Sequence, residues 1–213
     1  MLAVQDSTSL NYSTHPATEN LGPIGPNAEQ VIGLMVHDTM AFNLDGTPLG
    51  LLDLQCWARD PAQFGKNHRR KTLPLEQKES VKWLRSLEAV AQVQAQCPQT
   101  QIVSVGDREA DIYELFVWAR AEPGRPHLLI RAAQNRCLQE EHGKLWAELA
   151  AQPLAGIKAV RLPRRSNRPA RIAKLEVRTT AVELRAPKAQ GQLPPVQLWA
   201  VLAKETDVPP GTE

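Results

Sequence analysis

The chain has 213 residues, 42% of them apolar and 23% charged, with a net charge of +2. That balance is a soluble globular protein's and argues against a disordered chain, a collagen or a coiled coil, and no apolar run approaches the roughly 20 residues of a membrane-spanning helix. Charge is uneven: residues 1–130 hold 11 Lys/Arg against 15 Asp/Glu, whereas residues 131–185 hold 12 against 5, a pattern that suits a metal site beside a surface for a polyanion and equally a solvated basic face on an ordinary domain.

Leu2-Ala3-Val4 reads as a short strand that reaches Asp6 with no lead-in, and residues 11–27, rich in Pro, Gly, Ser, Thr and Asn, read as a loop. Two β-leaning runs follow, 31–42 and 49–57. Asn43-Leu-Asp-Gly46 between them is the Asp-Gly signal of a hairpin turn. Residues 59–74 read as a polar loop. From Leu75 to about Gln96 the spacing predicts a helix, with Leu84, Leu87 and Ala91 at i, i+3 and i+7 and Pro98 ending it. The run 101–106 is a strand that delivers Asp107 at its C-terminal end. Ile112, Leu115, Phe116 and Ala119 mark a second helix, and 127–131 a further strand. The order strand, hairpin, helix, strand, helix, strand predicts a mixed α/β sheet, antiparallel first and parallel after.

Beyond Arg131 the texture changes. Residues 144–151 read as a short helix, and 157–162, 172–180 and 196–203 as strands divided by Pro- and Arg-rich turns. The expected organisation is therefore a core over 1–131 and a β-rich second lobe over 132–213.

Asp6 and Asp107 each end a predicted core strand. If those strands are neighbours, both carboxylates project at one sheet edge. Hard cations such as Mg²⁺ are held by one or two such carboxylates together with substrate phosphate oxygens, and paired metals serve phosphodiester chemistry. Either Asp alone could instead cap a turn or a helix. Three cysteines, Cys56, Cys97 and Cys137, are odd in number and lack a CxxC. They argue against a disulfide framework or a zinc site and read as small buried hydrophobes in a reducing compartment. Met1-Leu-Ala-Val-Gln-Asp carries no basic stretch or cleavage motif of a secretory leader, so a cytoplasmic protein without a membrane partner is expected. The five histidines show no ligand spacing, and the five tryptophans read as packing groups.

Four blocks in succession carry a more specific signal: DSTSLNY over 6–12, KESVKW over 78–83, VSVGDREADI over 103–112 and NRPAR over 167–171. So ordered, and continued by LLIR over 128–131, AVLAKE over 200–205 and Pro209-Pro210, the chain resembles the cut-and-paste DDE transposases of the insertion-sequence-four family. The resemblance covers essentially the whole sequence. It implies an RNase H-like (retroviral-integrase-like) core interrupted by a β-rich insertion domain, with Asp6 and Asp107 as catalytic ligands of Mg²⁺ or Mn²⁺. It implies DNA as partner, both transposon ends and target, and self-association in the full-length form. The family's third acid lies in a Tyr-x-x-Arg-x-x-x-Glu segment that this sequence does not contain. The expectation is thus an incomplete core, lacking also the family's N-terminal end-binding and C-terminal dimerisation regions and inactive alone.

Arg131 matches a family arginine near the DNA, and as a strand-end residue it reads equally as a surface arginine. Arg161, Arg164, Arg165, Arg168, Arg171 and Lys174 form the densest basic stretch, and cations placed on phosphates bind in a salt-dependent way without reading bases. Asp111 reads as structural, in the first turn of the second helix. Two other readings compete: a DNA-binding remnant without catalysis, and a haloacid-dehalogenase-like phosphatase. Gly106-Asp-Arg-Glu-Ala-Asp111 fits the phosphatase, but Thr8 stands where its first motif needs a second Asp.

Overall fold

The computed structural model describes residues 1–15, 17–25, 31–63, 73–139, 143–164 and 169–207. It is a mixed α/β structure that divides into two compact units, Met1–Ala133 and Gln134–Glu213. Among the described residues no helix is long and apolar enough to cross a membrane.

The first unit is built on a six-stranded sheet: β1 (Leu2–Asn11), β2 (Gly22–Pro23), β3 (Ile32–Phe42), β4 (Pro48–Trp57), β5 (Val103–Gly106) and β6 (His127–Ile130). The order across it is β2-β3-β1-β5-β6, and β4 also pairs with β3. β1, β2 and β4 run antiparallel to β3, whereas β5 is parallel to β1 and β6 to β5. β1 runs well past the predicted Val4, because its ladder with β3 holds ten residue pairs and carries it to Asn11. The β3–β4 hairpin turns at Gly46, whose φ of +90° suits a residue without a Cβ, and Asp45 Oδ1 accepts the Thr47 N–H at 2.9 Å.

β3 alternates strictly between buried and half-buried residues along its eleven positions, the period-2 signature of a sheet whose two faces differ. One face packs on α1 (Val81–Gln96) and α2 (Tyr113–Arg120). Trp83, Leu87, Ala110 and Leu115 form one buried cluster with Leu128 and Ile130 against it, and Ala3, Val90 and Ile102 form another. The first helix starts later than its apolar period suggests: Leu75–Gln77 is a separate 3-10 turn, and Lys78 is extended, which breaks the helix. Its buried stripe includes Lys82 and Ser86, polar residues that hydrophobic spacing does not flag. On the opposite face Leu51, Leu54 and Leu129 each keep more than half of their surface exposed.

The second unit is a meander of β7 (Gly156–Leu162), β8 (Arg171–Leu184) and β9 (Val196–Glu205), in that order. The short helix α3 (Leu145–Ala151) lies against β8 and β9, and Leu145, Leu149, Val182, Leu184, Val196 and Ala200 are buried.

Candidate functional site

β1 and β5 pair through Leu2↔Val103, Ala3↔Ser104 and Val4↔Val105. The ladder ends there, and the same 101-residue offset continued for two residues sets Asp6 level with Asp107. Paired strands lie about 4.8 Å apart, so this register brings the two positions to one level at the C-terminal end of β5. Both residues are exposed. Asp6 alternates with Val4 and Leu2, whereas Ala3 and Gln5 are buried on the helix-covered side. The pair therefore belongs to the open face of the sheet.

Each carboxylate is held by one oxygen. Asp6 Oδ1 accepts the Ser7 N–H at 2.8 Å, and Asp107 Oδ1 accepts the Glu109 N–H at 2.8 Å. Asp107 thereby caps the 3-10 turn Arg108–Ala110. The capping role considered for an isolated Asp is real here, and it occupies a single oxygen. β5 and β6 pair through Gly106↔Ile130, and the Arg131 N–H donates to the Gly106 carbonyl at 3.1 Å. Arg131 therefore stands level with Asp107 on the next strand, the one cation in this row of described residues.

Across β1, Asp6 is paired with Asp38 of β3, which in turn is paired with Leu54 of β4. Asp38 thus adds a third acid at this level that spacing along the chain does not reveal. The signal that finds it is the ladder register. Among the described residues, no three His, Cys, Asp or Glu side chains gather closely enough to hold a metal ion. Asp6 and Asp107 as a pair supply the carboxylate count with which Mg²⁺ is bound when waters and phosphate oxygens complete its shell.

Beneath the aspartates, on the helix side, lies a buried polar chain. Gln5 Nε2 donates to Ser104 Oγ at 2.8 Å, Gln5 Oε1 lies 3.3 Å from His37 Nε2, and His37 Nδ1 lies 2.9 Å from Ser7 Oγ. With the Gln5 amide nitrogen spent on Ser104, its oxygen requires a proton on His37 Nε2, and Nδ1 then accepts the Ser7 hydroxyl. His37 is fully buried, edge-on to Trp83 at 4.6 Å between centroids. Burial first, and the nearby Lys82 charge second, push its pKa down to about 4 against smaller opposing effects of Asp53 and Asp6. The imidazole is neutral at pH 7. No histidine spacing pointed to His37; the alternation of β3 is what places it inside.

Lys82, itself buried, reaches Glu109 Oε2 at 3.3 Å and lies 5.8 Å from the Trp57 ring centroid and 5.9 Å from that of Trp83. Glu109 is thus tied to the first helix. Asp111 is buried and accepts the Ala133 N–H at 2.8 Å. It is structural, though it precedes the second helix instead of lying in its first turn, because Ile112 is the cap residue there.

The basic residues of the second unit do not form one set. Arg161 pairs with Ile172 and Ala159 with Lys174 across β7 and β8, which puts Arg161 and Lys174 on one face. Arg164 is exposed just beyond β7. Arg171 points to the other face, where guanidinium nitrogens Nη1 and Nη2 both meet the Glu205 carboxylate, the second at 3.0 Å. Arg165 and Arg168 lie outside the described residues. Two further expectations change. Cys56 and Cys97 are exposed rather than buried, since each falls on an open face or past a helix end. Trp199 is 70% exposed on the face of β9 away from α3, while Trp83 is a core group. No protein-family model matches the chain.

Proposed function

We propose that the chain is catalytic-core sequence of a DDE transposase of the insertion-sequence-four family, working on DNA through Mg²⁺ or Mn²⁺ held by Asp6 and Asp107. The observation that carries this reading is the register of β1 and β5, which brings two residues 101 positions apart to one level of one sheet face. The strand order supports it as well. An antiparallel β4-β3-β1 arrangement extended by parallel β5 and β6 is what an RNase H-like core calls for, and a β-rich unit over Gln134–Glu213 fits the inserted domain.

In this reading the two carboxylates bind and orient one divalent cation, which supplies Lewis acidity at a phosphodiester. Arg131 adds positive charge beside it, and Arg161, Arg164 and Lys174 hold phosphates without reading bases. With two acids the site orients a metal but does not complete a two-metal clamp, so the polypeptide alone is expected to leave supercoiled plasmid intact. The test is thermodynamic coupling. A cation shared between carboxylates and phosphate must bind more tightly when DNA is present, and reciprocally. Titration of Mn²⁺ with and without a short duplex should show that gain in the parent chain and its loss in Asp107→Asn and Asp6→Asn. Mn²⁺ binding indifferent to DNA, or indifferent to both substitutions, overturns the proposal.

A further inference from the structure

The backbone ladder between β1 and β5 is only three residue pairs long and stops at Val4↔Val105, two residues short of the aspartates. The ladder between β1 and β3 continues past Asp6 for five more pairs. The two strands that carry Asp6 and Asp107 are therefore joined least firmly where their spacing matters most. One buried side-chain bond ties the two strands at the end of their ladder, from Gln5 Nε2, on the first residue of β1 past it, back to Ser104 Oγ at 2.8 Å, on a residue paired with Ala3. Gln5 directly precedes Asp6, and Ser104 is three residues before Asp107.

A primary amide can present either end to a hydroxyl. Here His37 settles the choice. Its Nε2, 3.3 Å from Gln5 Oε1, and its Nδ1, 2.9 Å from Ser7 Oγ, leave one consistent proton arrangement from Ser7 through His37 and Gln5 to Ser104. Ser7 also donates its backbone N–H to Asp6. The chain of bonds thus begins at Ser7, next to Asp6, and runs through β3 and β1 to Ser104 of β5, three residues before Asp107, each member more than half withdrawn from solvent. A buried, fully partnered polar chain is rigid, and breaking one link strands the remaining groups without partners.

We infer that Gln5, His37 and Ser104 are positioning residues that set the Asp6–Asp107 spacing, and with it the affinity of that pair for a divalent cation; the inference rests on the reading of the pair as a cation site. Groups that orient metal ligands without touching the metal commonly change its affinity 10- to 100-fold when removed.

The experiment is a Mn²⁺ titration of the whole chain, with far-UV circular dichroism and cooperative melting recorded on every variant. Asp107→Asn should abolish binding. Gln5→Leu and Ser104→Ala should each weaken it about tenfold, and the double variant should weaken it no further than Gln5→Leu alone, because one link is being removed twice. Should Gln5→Leu fail to fold, Ser104→Ala, which deletes a single hydroxyl, carries the test. Asp107-dependent binding that stays within twofold of the parent in the folded variants overturns the positioning role and leaves the cation site standing. Binding that is absent in the parent, or unchanged in Asp107→Asn, overturns both.

Discussion

Asp6 and Asp38 stand opposite each other across the β1–β3 ladder, on the sheet face turned away from the helices. Like charges directly opposed in antiparallel strands destabilise by about 0.2–1 kcal/mol. Asp38→Asn is accordingly expected to stabilise the chain by that amount in low-salt urea unfolding. The gain should shrink at 1 M salt, where the screening length falls to about 3 Å. If Asp6 holds the proposed cation, the gain should shrink also in Mn²⁺. A loss of stability in Asp38→Asn would mean that Asp38 is held by an attractive partner, and the acid row would have to be redrawn.

The neutral, buried His37 makes stability fall with acid. Its pKa in the fold is about 4 against 6.5 unfolded, so the unfolded chain takes up a proton across that window while the native ring, between Gln5 and Ser7 with Lys82, Asp53 and Asp6 nearby, does not. The contribution is complete above pH 6.5 and is lost as pH falls toward 4, by about 3 kcal/mol in total. Urea unfolding at pH 7, 6, 5 and 4 of the parent and His37→Gln should show a difference between them that narrows steadily below pH 6.5. A difference constant with pH would mean that the ring titrates normally in the fold.

Asp107 is legible because it closes a short apolar run at a strand end; Asp6 closes such a run too, but it lies within β1, which its ladder with β3 carries on to Asn11. Asp38 and His37 are not legible in this way. Their places depend on the register of β3 against β1, ten unbroken pairs that set Asp38 against Asp6 and His37 against Ser7, and no tight turn joins these two strands to fix that register in advance. Arg171 looked like its basic neighbours because its partner, Glu205, is 34 residues on and reaches it only through the β8–β9 meander. The apolar period of the first helix picks out Leu87, with Val90 beside it, and both are buried, while Leu84 packs at the edge of the cluster; what it misses is Trp83. Lys82 and Ser86 share the buried face because Glu109, Asp53 and Gln55 satisfy them.

Gly106, one residue before Asp107, is a packing requirement. A Cβ there would lie 2.6 Å from the Ala110 Cβ, 3.0 Å from Ile130 Cδ1 and 3.2 Å from Trp83 Cζ3. The first contact is with a short side chain fixed on the 3-10 turn, so it cannot swing away. Gly106→Ala should cost about 1–3 kcal/mol by overpacking, read as a lower urea midpoint at unchanged slope. Ala110→Gly in the same chain should recover part of the loss, since it removes the closest atom. Full stability in Gly106→Ala alone would show that β5 and the turn after it separate more easily than this packing implies.

Arg161 and Lys174 share one face of the second unit, while the Arg171 guanidinium is engaged by Glu205 on the other. Each lysine or arginine that neutralises a phosphate adds roughly one to the steepness with which log K falls against log salt. Arg161→Ala and Lys174→Ala should each reduce that slope by about 1 in anisotropy titrations of a short duplex, and to the same extent for unrelated sequences. Arg171→Ala should leave the slope nearly unchanged. Its effect should be on the fold, because it releases a carboxylate that the guanidinium holds below the usual Glu range. If Arg171→Ala instead flattens the salt dependence and the other two do not, the DNA-facing side of this sheet is the opposite one.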